Sequence, residues 1–343
     1  MNSGETRFGE IDEPRACVIF PGALGDFVCF LPALHQLANA SAVDLLARSE
    51  YAAIAPRRVS VKSLERAEVR QLFIDGGALD PRVSQFYSRY AAIYSWFASQ
   101  QSVFVDQLQK AAQGRAQIFP FRPEKFTLHQ ADYYLSCLER EESKAAEPLV
   151  ELRGDALLWC DAFCRRMEIG RAPFLIMAPG SGAGGKNWPE AHYLQLADWW
   201  REQFGGKVVV VLGPVEAERQ GFERLSSCYH VAIGLDLARL AALIARCDVY
   251  IGNDSGVTHL AAAVGASTVA IFGPSNDRQW APRGPRVSIL RRQIACSPCG
   301  DTAMGLCEHR ACLTELAPVE VIQELRKLPE IANLTRLGAG ITV

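Results

Sequence analysis

The sequence predicts an α/β protein that is built on parallel β-sheets. Short apolar runs alternate with longer amphipathic stretches, and in the second half each run ends in glycine and a polar residue. The clearest unit spans residues 247–274, where apolar runs at 249–251 and 268–272 flank a tight turn and a small-residue helix. Strands that alternate with helices favour a sheet covered on both faces.

Length and composition restrict the class of protein. A chain of 343 residues suggests two domains with separate cores, and a net charge of −2 argues against a nucleic-acid partner. No apolar run approaches the roughly 18 residues that a membrane span needs. The polar N-terminal stretch does not resemble a secretory signal, so we expect a cytoplasmic protein whose 11 cysteines are mostly thiols or ligands.

The first half begins with a strand, a glycine turn and a helix that continues to about Asn39. Pro32 is predicted to kink or split this helix. Asp26, directly after the turn, either caps the helix or takes a proton from a substrate hydroxyl. The turn is not G-x-G-x-x-G, so the dinucleotide fingerprint is absent. The predicted strands are 16–20, 43–47, 73–74, 92–97 and 116–119, and the predicted later helices are 127–138 and 155–167.

A basic cluster follows the second strand. It contains Arg57, Arg58, Lys62, Arg66 and Arg70. A run of cations is usually a solvated face. The alternative is that this cluster binds an acceptor that carries carboxylate or phosphate groups.

The second half repeats the alternation of strand and helix. Its predicted strands are 174–177, 208–212, 231–233, 249–251 and 268–272, and its predicted helices are 189–204, 237–246 and 319–328. Asp254 or Ser255 is placed to cap the helix after residue 251, and Gly256 lets a ligand approach the backbone. Free N–H groups at that helix start favour phosphate, with His259 one turn further on. The alternative is a capped helix with a core histidine.

Residues 180–186 fit the pattern G-x-x-x-x-G-K of a P-loop. The next residue is Asn187, where that motif needs Ser or Thr to bind magnesium, and Asp254 is the one candidate for its metal-binding aspartate. Glycines and a lysine nevertheless suit a phosphate, because backbone N–H groups can face it.

Four late cysteines lie within 17 residues: Cys296, Cys299, Cys307 and Cys312. The spacing C-x₂-C…C-x₄-C is compatible with zinc, a disulfide or reduced structural thiols. The second pair lacks the x₂ spacing that is usual in a zinc ribbon.

Taken together, five segments resemble glycosyltransferase family 9, the lipopolysaccharide heptosyltransferases. They are PGALGD, APGSGAGGKNWP, LGPVEAE, GNDSGVTHLAAA and FGPSN…WAP. The resemblance implies a GT-B fold, in which two Rossmann-like domains with parallel sheets face each other across a cleft. Residues 1–165 would bind the acceptor, 166–318 the nucleotide-sugar donor, and 319–343 would return toward the first domain.

The resemblance also implies site residues. Asp26 matches the catalytic base. The matching donor-binding residues are Ser181, Lys186, Glu216, Asp254, Ser255, Gly256 and His259. Arg57, Arg58 and Lys62 would hold the acceptor, a Kdo- or heptose-bearing lipid A core. Residues 59–94 carry little that matches the family, which leaves the acceptor the least specified part.

The expected reaction is inverting transfer of a heptose from ADP-heptose to the inner core of lipopolysaccharide. One carboxylate would activate the acceptor, and Lys186 with the helix start at Ser255–Gly256 would stabilise the leaving diphosphate. No acidic pair for a divalent metal is evident, so we expect turnover without metal or cofactor at the cytoplasmic membrane face. The alternatives are a nucleotide-sugar epimerase of the same fold, a non-catalytic binding protein and a P-loop NTPase. The oligomeric state is open.

Overall fold

The computed structural model describes residues 14–75, 78–123, 128–138, 147–213, 216 and 221–339, without the side chains of Asp301 and residues 335–339. These residues form two compact units. The first contains the described residues up to Pro21, then 34–49 and 56–121. The second contains 22–33, 50–55 and the described residues from 122 onward. The segment that carries Asp26 therefore packs with the second unit.

The first unit is built on a parallel sheet of five strands in the order β3-β2-β1-β4-β5. The strands are β1 Arg15–Ile19, β2 Ala42–Ala47, β3 Val59–Ser63, β4 Ala92–Ser95 and β5 Ala116–Ile118. The α-helices of this part of the chain are α1 Leu24–Ala40, α2 Ala67–Arg70, α3 Pro81–Ser88 and α4 Ser102–Ala111. Residues 24–33 of α1 belong to the second unit.

The second unit is built on a parallel sheet of six strands in the order β11-β10-β9-β6-β7-β8. The strands are β6 Phe174–Ala178, β7 Lys207–Leu212, β8 His230–Ile233, β9 Val249–Asn253, β10 Thr268–Phe272 and β11 Val287–Arg291. β6, β9 and β10 are buried throughout, as expected for central strands with both faces covered. The strand order reverses between β6 and β9, and open α/β sheets bind ligands at such a point.

Helices complete the second unit. They are α5 Gln130–Ser136, α6 Gly154–Arg166, α7 Glu190–Phe204, α8 Glu223–Cys228, α9 Leu237–Arg246, α10 Gly256–Ala263, α11 Asp277–Trp280, α12 Asp301–Leu306, α13 Ala311–Thr314, α14 Pro318–Leu325 and α15 Pro329–Ala339. None of the helices in the described ranges is long and apolar enough to cross a bilayer.

The structure corrects several sequence predictions. Residues 73–74 are not a strand, because Gln71–Phe73 forms a 3₁₀ turn whose phenylalanine packs against the rings of Phe97 and Phe104. Helix α1 is not split at Pro32. β3 and β11 were missed because they are edge strands, which lie half-exposed and need no continuous apolar run. The charged segment 139–147 is a candidate domain boundary in the sequence, and it lies almost wholly outside the described residues.

Candidate functional site

The turn after β9 forms as the sequence predicts. Ser255 is the N-cap of α10, and its hydroxyl oxygen accepts a hydrogen bond from the backbone N–H of Thr258. The Thr258 hydroxyl donates to the backbone carbonyl of Asn253 over 2.5 Å, which closes the turn on the strand end. The first N–H groups of α10 are therefore held at the carboxyl edge of the sheet.

Asn253 joins this turn to the loop that follows the neighbouring strand β6. Its buried side-chain amide donates to the Pro179 carbonyl over 2.6 Å, and its oxygen accepts from the backbone N–H of Trp188 over 3.0 Å. The two bonds fix both ends of the glycine loop 179–188. Asn253 belongs to the motif GNDSG, but the sequence alone did not indicate this positioning role.

Seven of the predicted site residues line one pocket of about 210 Å³ in the second unit. They are Asp26, Ser181, Lys186, Asp254, Ser255, Gly256 and His259. Arg122 and Trp280 complete the wall together with Ala23 and Gly25. The structure thus brings the start of α1, the glycine loop and the turn before α10 to one place.

The starts of α1 and α10 meet at backbone distance. A Cβ atom placed on Gly256 would lie 2.8 Å from the backbone nitrogen of Gly25 and 2.8 Å from Cβ of Leu24. Only glycine fits at such an approach. Two helix N-termini therefore face the same pocket, and both favour negative charge.

Lys186 supplies a positive charge on the opposite loop. Its ammonium nitrogen lies 2.7 Å from Oδ2 of the nearly buried Asp254. The hydroxyl of Ser181 is engaged within the loop, 2.7 Å from the Ala183 carbonyl and 2.5 Å from Oδ1 of Asn187. A phosphate that enters this pocket would meet a lysine, a hydroxyl and free backbone N–H groups.

Asp26 is nearly buried and forms a short ion pair with Arg122. The guanidinium carbon of Arg122 lies 4.4 Å from the ring centre of Trp280. Arg122 was not predicted as a site residue, because its neighbours in the sequence are only a strand end and two prolines. Trp280 belongs to the segment WAP, which contributes to the family resemblance in the sequence.

His259 is buried in the wall of the pocket. Its Nδ1 lies 3.7 Å from the sulfur of Cys29, and its ring is also hydrogen-bonded to the backbone of Trp280. Burial lowers the pKa of His259 below its ordinary value, although Asp254 and Asp26 oppose the shift. The ring is therefore neutral at pH 7 and connects α10 with α1 and with the Trp280 segment.

Glu216 does not line this pocket. It lines a second pocket of about 340 Å³ on the other side of the glycine loop, together with Asn187, Phe222 and Arg310. Its carboxylate accepts a hydrogen bond from the backbone N–H of Gly182 over 3.2 Å. An extended ligand could contact both pockets across this loop.

The predicted acceptor residues lie in the first unit. Arg57 and Arg58 are exposed, whereas Lys62 Nζ is 2.5 Å from Oδ2 of the buried Asp44. Arg15 also contacts that carboxylate, so Lys62 belongs to a charge network within the sheet.

No disulfide joins any of the 11 cysteines, all of which lie in the described ranges. The four late cysteines line a cavity of about 10 Å³ with His309 and Met304. Among the described residues, no three His, Cys, Asp or Glu side chains are arranged to hold a metal ion. The segment also supports the glycine loop, because Arg310 donates to the Gly184 carbonyl over 2.8 Å.

Comparison with known sequences identifies related proteins. The profile of the family described as "Glycosyltransferase family 9 (heptosyltransferase)" matches residues 123–306, more than half of the chain. Lipopolysaccharide heptosyltransferase 2 of Salmonella typhimurium is 30% identical over 186 residues, which cover 51% of this chain and 51% of that protein. The chain thus spans about half the length of these curated relatives.

Two solved structures share the architecture. A family 9 glycosyl transferase from Veillonella parvula matches with a TM-score of 0.74 at 18% identity, over 94% of this chain and 99% of that one. ADP-heptose lipopolysaccharide heptosyltransferase II of E. coli matches with a TM-score of 0.64 at 16% identity, over 95% and 99%. At these low identities the two structures provide evidence about the fold alone, and they confirm the predicted GT-B class.

Proposed function

Because the chain belongs to glycosyltransferase family 9, we propose that it transfers a heptose from ADP-heptose to the inner core of lipopolysaccharide. The transfer inverts the anomeric carbon and needs no catalytic metal. The observation that carries this proposal is the pocket in which a nearly buried carboxylate, a lysine and two helix N-termini converge.

Asp26 is the proposed base. Inverting transfer needs one group that takes the proton from the acceptor hydroxyl while that oxygen attacks the anomeric carbon from the face opposite the leaving group. Asp26 lies at the pocket wall on α1, where a carboxylate oxygen can reach a bound hydroxyl. A single carboxylate is enough, because no covalent intermediate is formed.

Lys186 and the start of α10 stabilise the departing diphosphate in this proposal. The diphosphate gains negative charge as the bond to the sugar breaks, and fixed cations and N–H dipoles lower the energy of that state. Ser181 adds a hydroxyl on the same side of the pocket. The nucleoside would extend across the glycine loop, with Glu216 near the ribose.

The acceptor is the less specified substrate. A Kdo- or heptose-bearing lipid A core carries negative charges that suit Arg57, Arg58 and Lys62. Such an acceptor lies in a membrane, so the enzyme would work at the cytoplasmic face of the inner membrane. Release of Lys62 from Asp44 would be required for it to contact this substrate.

No cofactor takes part in the proposed transfer. The four late cysteines have a structural role, since their segment supports the loop that carries Lys186. Reduced thiols, zinc and a disulfide are the three states compatible with their spacing. Metal content and thiol titration of the purified protein distinguish them.

The deciding experiment measures ADP release from ADP-heptose, with and without Kdo-bearing lipid A, in the presence of EDTA. We expect release that depends on the acceptor, and a decrease of about 10²- to 10⁴-fold in Asp26→Asn. Asp236→Asn is the matched control, because Asp236 caps α9 outside the pocket and asparagine caps a helix equally well.

Three results would contradict the proposal. Turnover of the nucleotide sugar without acceptor would indicate an epimerase. Activity that requires magnesium and a nucleoside triphosphate would indicate a P-loop NTPase. Binding without any turnover, unchanged in Asp26→Asn, would indicate a non-catalytic binding protein.

A further inference from the structure

The carboxylate proposed as the base is held by an arginine. Nη1 of Arg122 bonds Oδ1 of Asp26, and both residues line the 210 Å³ pocket. The arginine is itself supported, because its guanidinium lies over the ring of Trp280 at 4.4 Å. The Trp280 ring, the Arg122 guanidinium and the Asp26 carboxylate therefore form a continuous series of contacts within the second unit.

The other titratable groups that the structure describes near Asp26 are paired or neutral, so none of them serves as its cationic partner. Lys186 is bound to Asp254 at 2.7 Å. His259 is kept neutral by burial, and burial raises the pKa of the Cys29 thiol and the Tyr134 hydroxyl beside this site. Among the residues that the structure describes, the cation in contact with the base is therefore Arg122.

We propose that Arg122 is the positioning residue of the base. A guanidinium bonded to Oδ1 fixes the plane of the carboxylate and leaves Oδ2 to accept the proton of the acceptor hydroxyl. The planar ring of Trp280 restricts the guanidinium in turn, by a cation–π contact that a flexible lysine would reproduce less well. This inference rests on the proposed function, since it needs Asp26 to act as the base.

The proposal predicts that Arg122→Ala lowers kcat and leaves the KM for ADP-heptose almost unchanged. A misplaced base slows the chemical step by about 10²-fold. The KM for ADP-heptose and the affinity for ADP stay within about twofold, because the diphosphate is held by Lys186 and α10. Trp280→Leu leaves the arginine in place but less restricted, so kcat falls less, by about 5- to 10-fold.

Chemical rescue separates positioning from a loss of folding. Guanidinium ion added to Arg122→Ala should raise kcat at least tenfold at millimolar concentration, because the cavity left by the side chain accepts the ion. It should not rescue Asp26→Ala. Arg278→Ala is the matched control with unchanged kinetics, since Arg278 is exposed on α11 and lies outside the pocket wall.

Each outcome of these experiments tests either the positioning role of Arg122 or the proposed transferase function. Active wild-type protein with an equally active Arg122→Ala overturns this inference and leaves the transferase intact. A raised KM for ADP-heptose with little change in kcat also overturns it, because Arg122 would then bind the donor. Wild-type protein without acceptor-dependent release refutes the proposed function itself. Loss of kcat with guanidinium rescue supports the positioning role.

Discussion

At the scale of single residues, the imidazole of His129 is held in one protonation state by two hydrogen bonds. Its Nδ1 accepts from the backbone N–H of Ala131 over 3.1 Å and caps α5. Nε2 therefore carries the proton and donates to the carbonyl of Ala281 over 2.8 Å, next to Trp280. A second proton on Nδ1 would break the cap, so the neutral ring stabilises the fold.

The lowered pKa of His129 predicts that the free energy of unfolding depends on pH. Burial lowers the pKa of His129 from 6.5 to about 4, against the opposing effect of the Ala281 carbonyl. The unfolded chain takes up the proton near pH 6.5 and the folded chain only near pH 4. The stabilisation is therefore fully present above pH 6.5 and decreases by about 3 kcal/mol as the pH falls to 4.

Urea unfolding between pH 7 and 4 measures this effect. His129→Asn keeps a cap that accepts a hydrogen bond but does not titrate, so its free energy of unfolding should fall less steeply over the same range. Equal slopes in the two proteins would refute the assignment.

At the scale of elements, the site depends on the contact between the first turns of α1 and α10. The turns meet where Gly256 lies against the backbone of Gly25 and the side chain of Leu24. Each helix contributes free N–H groups, and α1 also contributes Asp26. The distance between the proposed base and the proposed phosphate site is thus set by a backbone contact.

Gly256→Ala should separate these two turns. The added methyl would sit 2.8 Å from Gly25 and Leu24, so a helix must shift, at a cost of about 1–3 kcal/mol in unfolding free energy. We expect kcat to fall at least tenfold. Gly154→Ala is the matched control, because a Cβ at the start of α6 meets no atom within 4 Å. Steady-state kinetics and urea unfolding of both variants test the prediction; a fully active Gly256→Ala would contradict it.

At the scale of the whole molecule, the compact units do not follow the order of the chain. Residues 22–33 and 50–55 pack with the second unit. The ring of Phe27 stacks on Tyr51 at 4.1 Å, and Phe30 meets Tyr134 edge-on at 5.5 Å. The second unit therefore includes apolar side chains from an early part of the sequence.

A fragment of residues 122–343 should not fold as a stable unit. It lacks Phe27 and Phe30, which are fully buried in the intact chain, and the surface that they cover would be exposed. We expect a broad thermal transition with low enthalpy in calorimetry. Co-expression with residues 1–121 should restore a cooperative transition. A fragment that melts alone as sharply as the intact protein would contradict this prediction.

Local physics explains which features could be predicted. The cap at Ser255, the cap at Asp236 and the central strands follow from residues that are neighbours in the sequence. Arg122 could not be found in this way, because its partners Asp26 and Trp280 are far away along the chain. The edge strand β3 was missed for a different reason, since its half-exposed surface needs no apolar pattern.

The backbone contact between Gly25 and Gly256 also bears on how related sequences are interpreted. A side chain at position 256 would displace the backbone of Gly25, whereas a Cβ on Gly25 would meet no atom closer than 3.4 Å. A descendant that has lost the reaction is free to accept alanine or serine at position 256, whereas an active one is not. Gly256 is therefore a marker by which inactive copies in a genome can be recognised before any protein is purified.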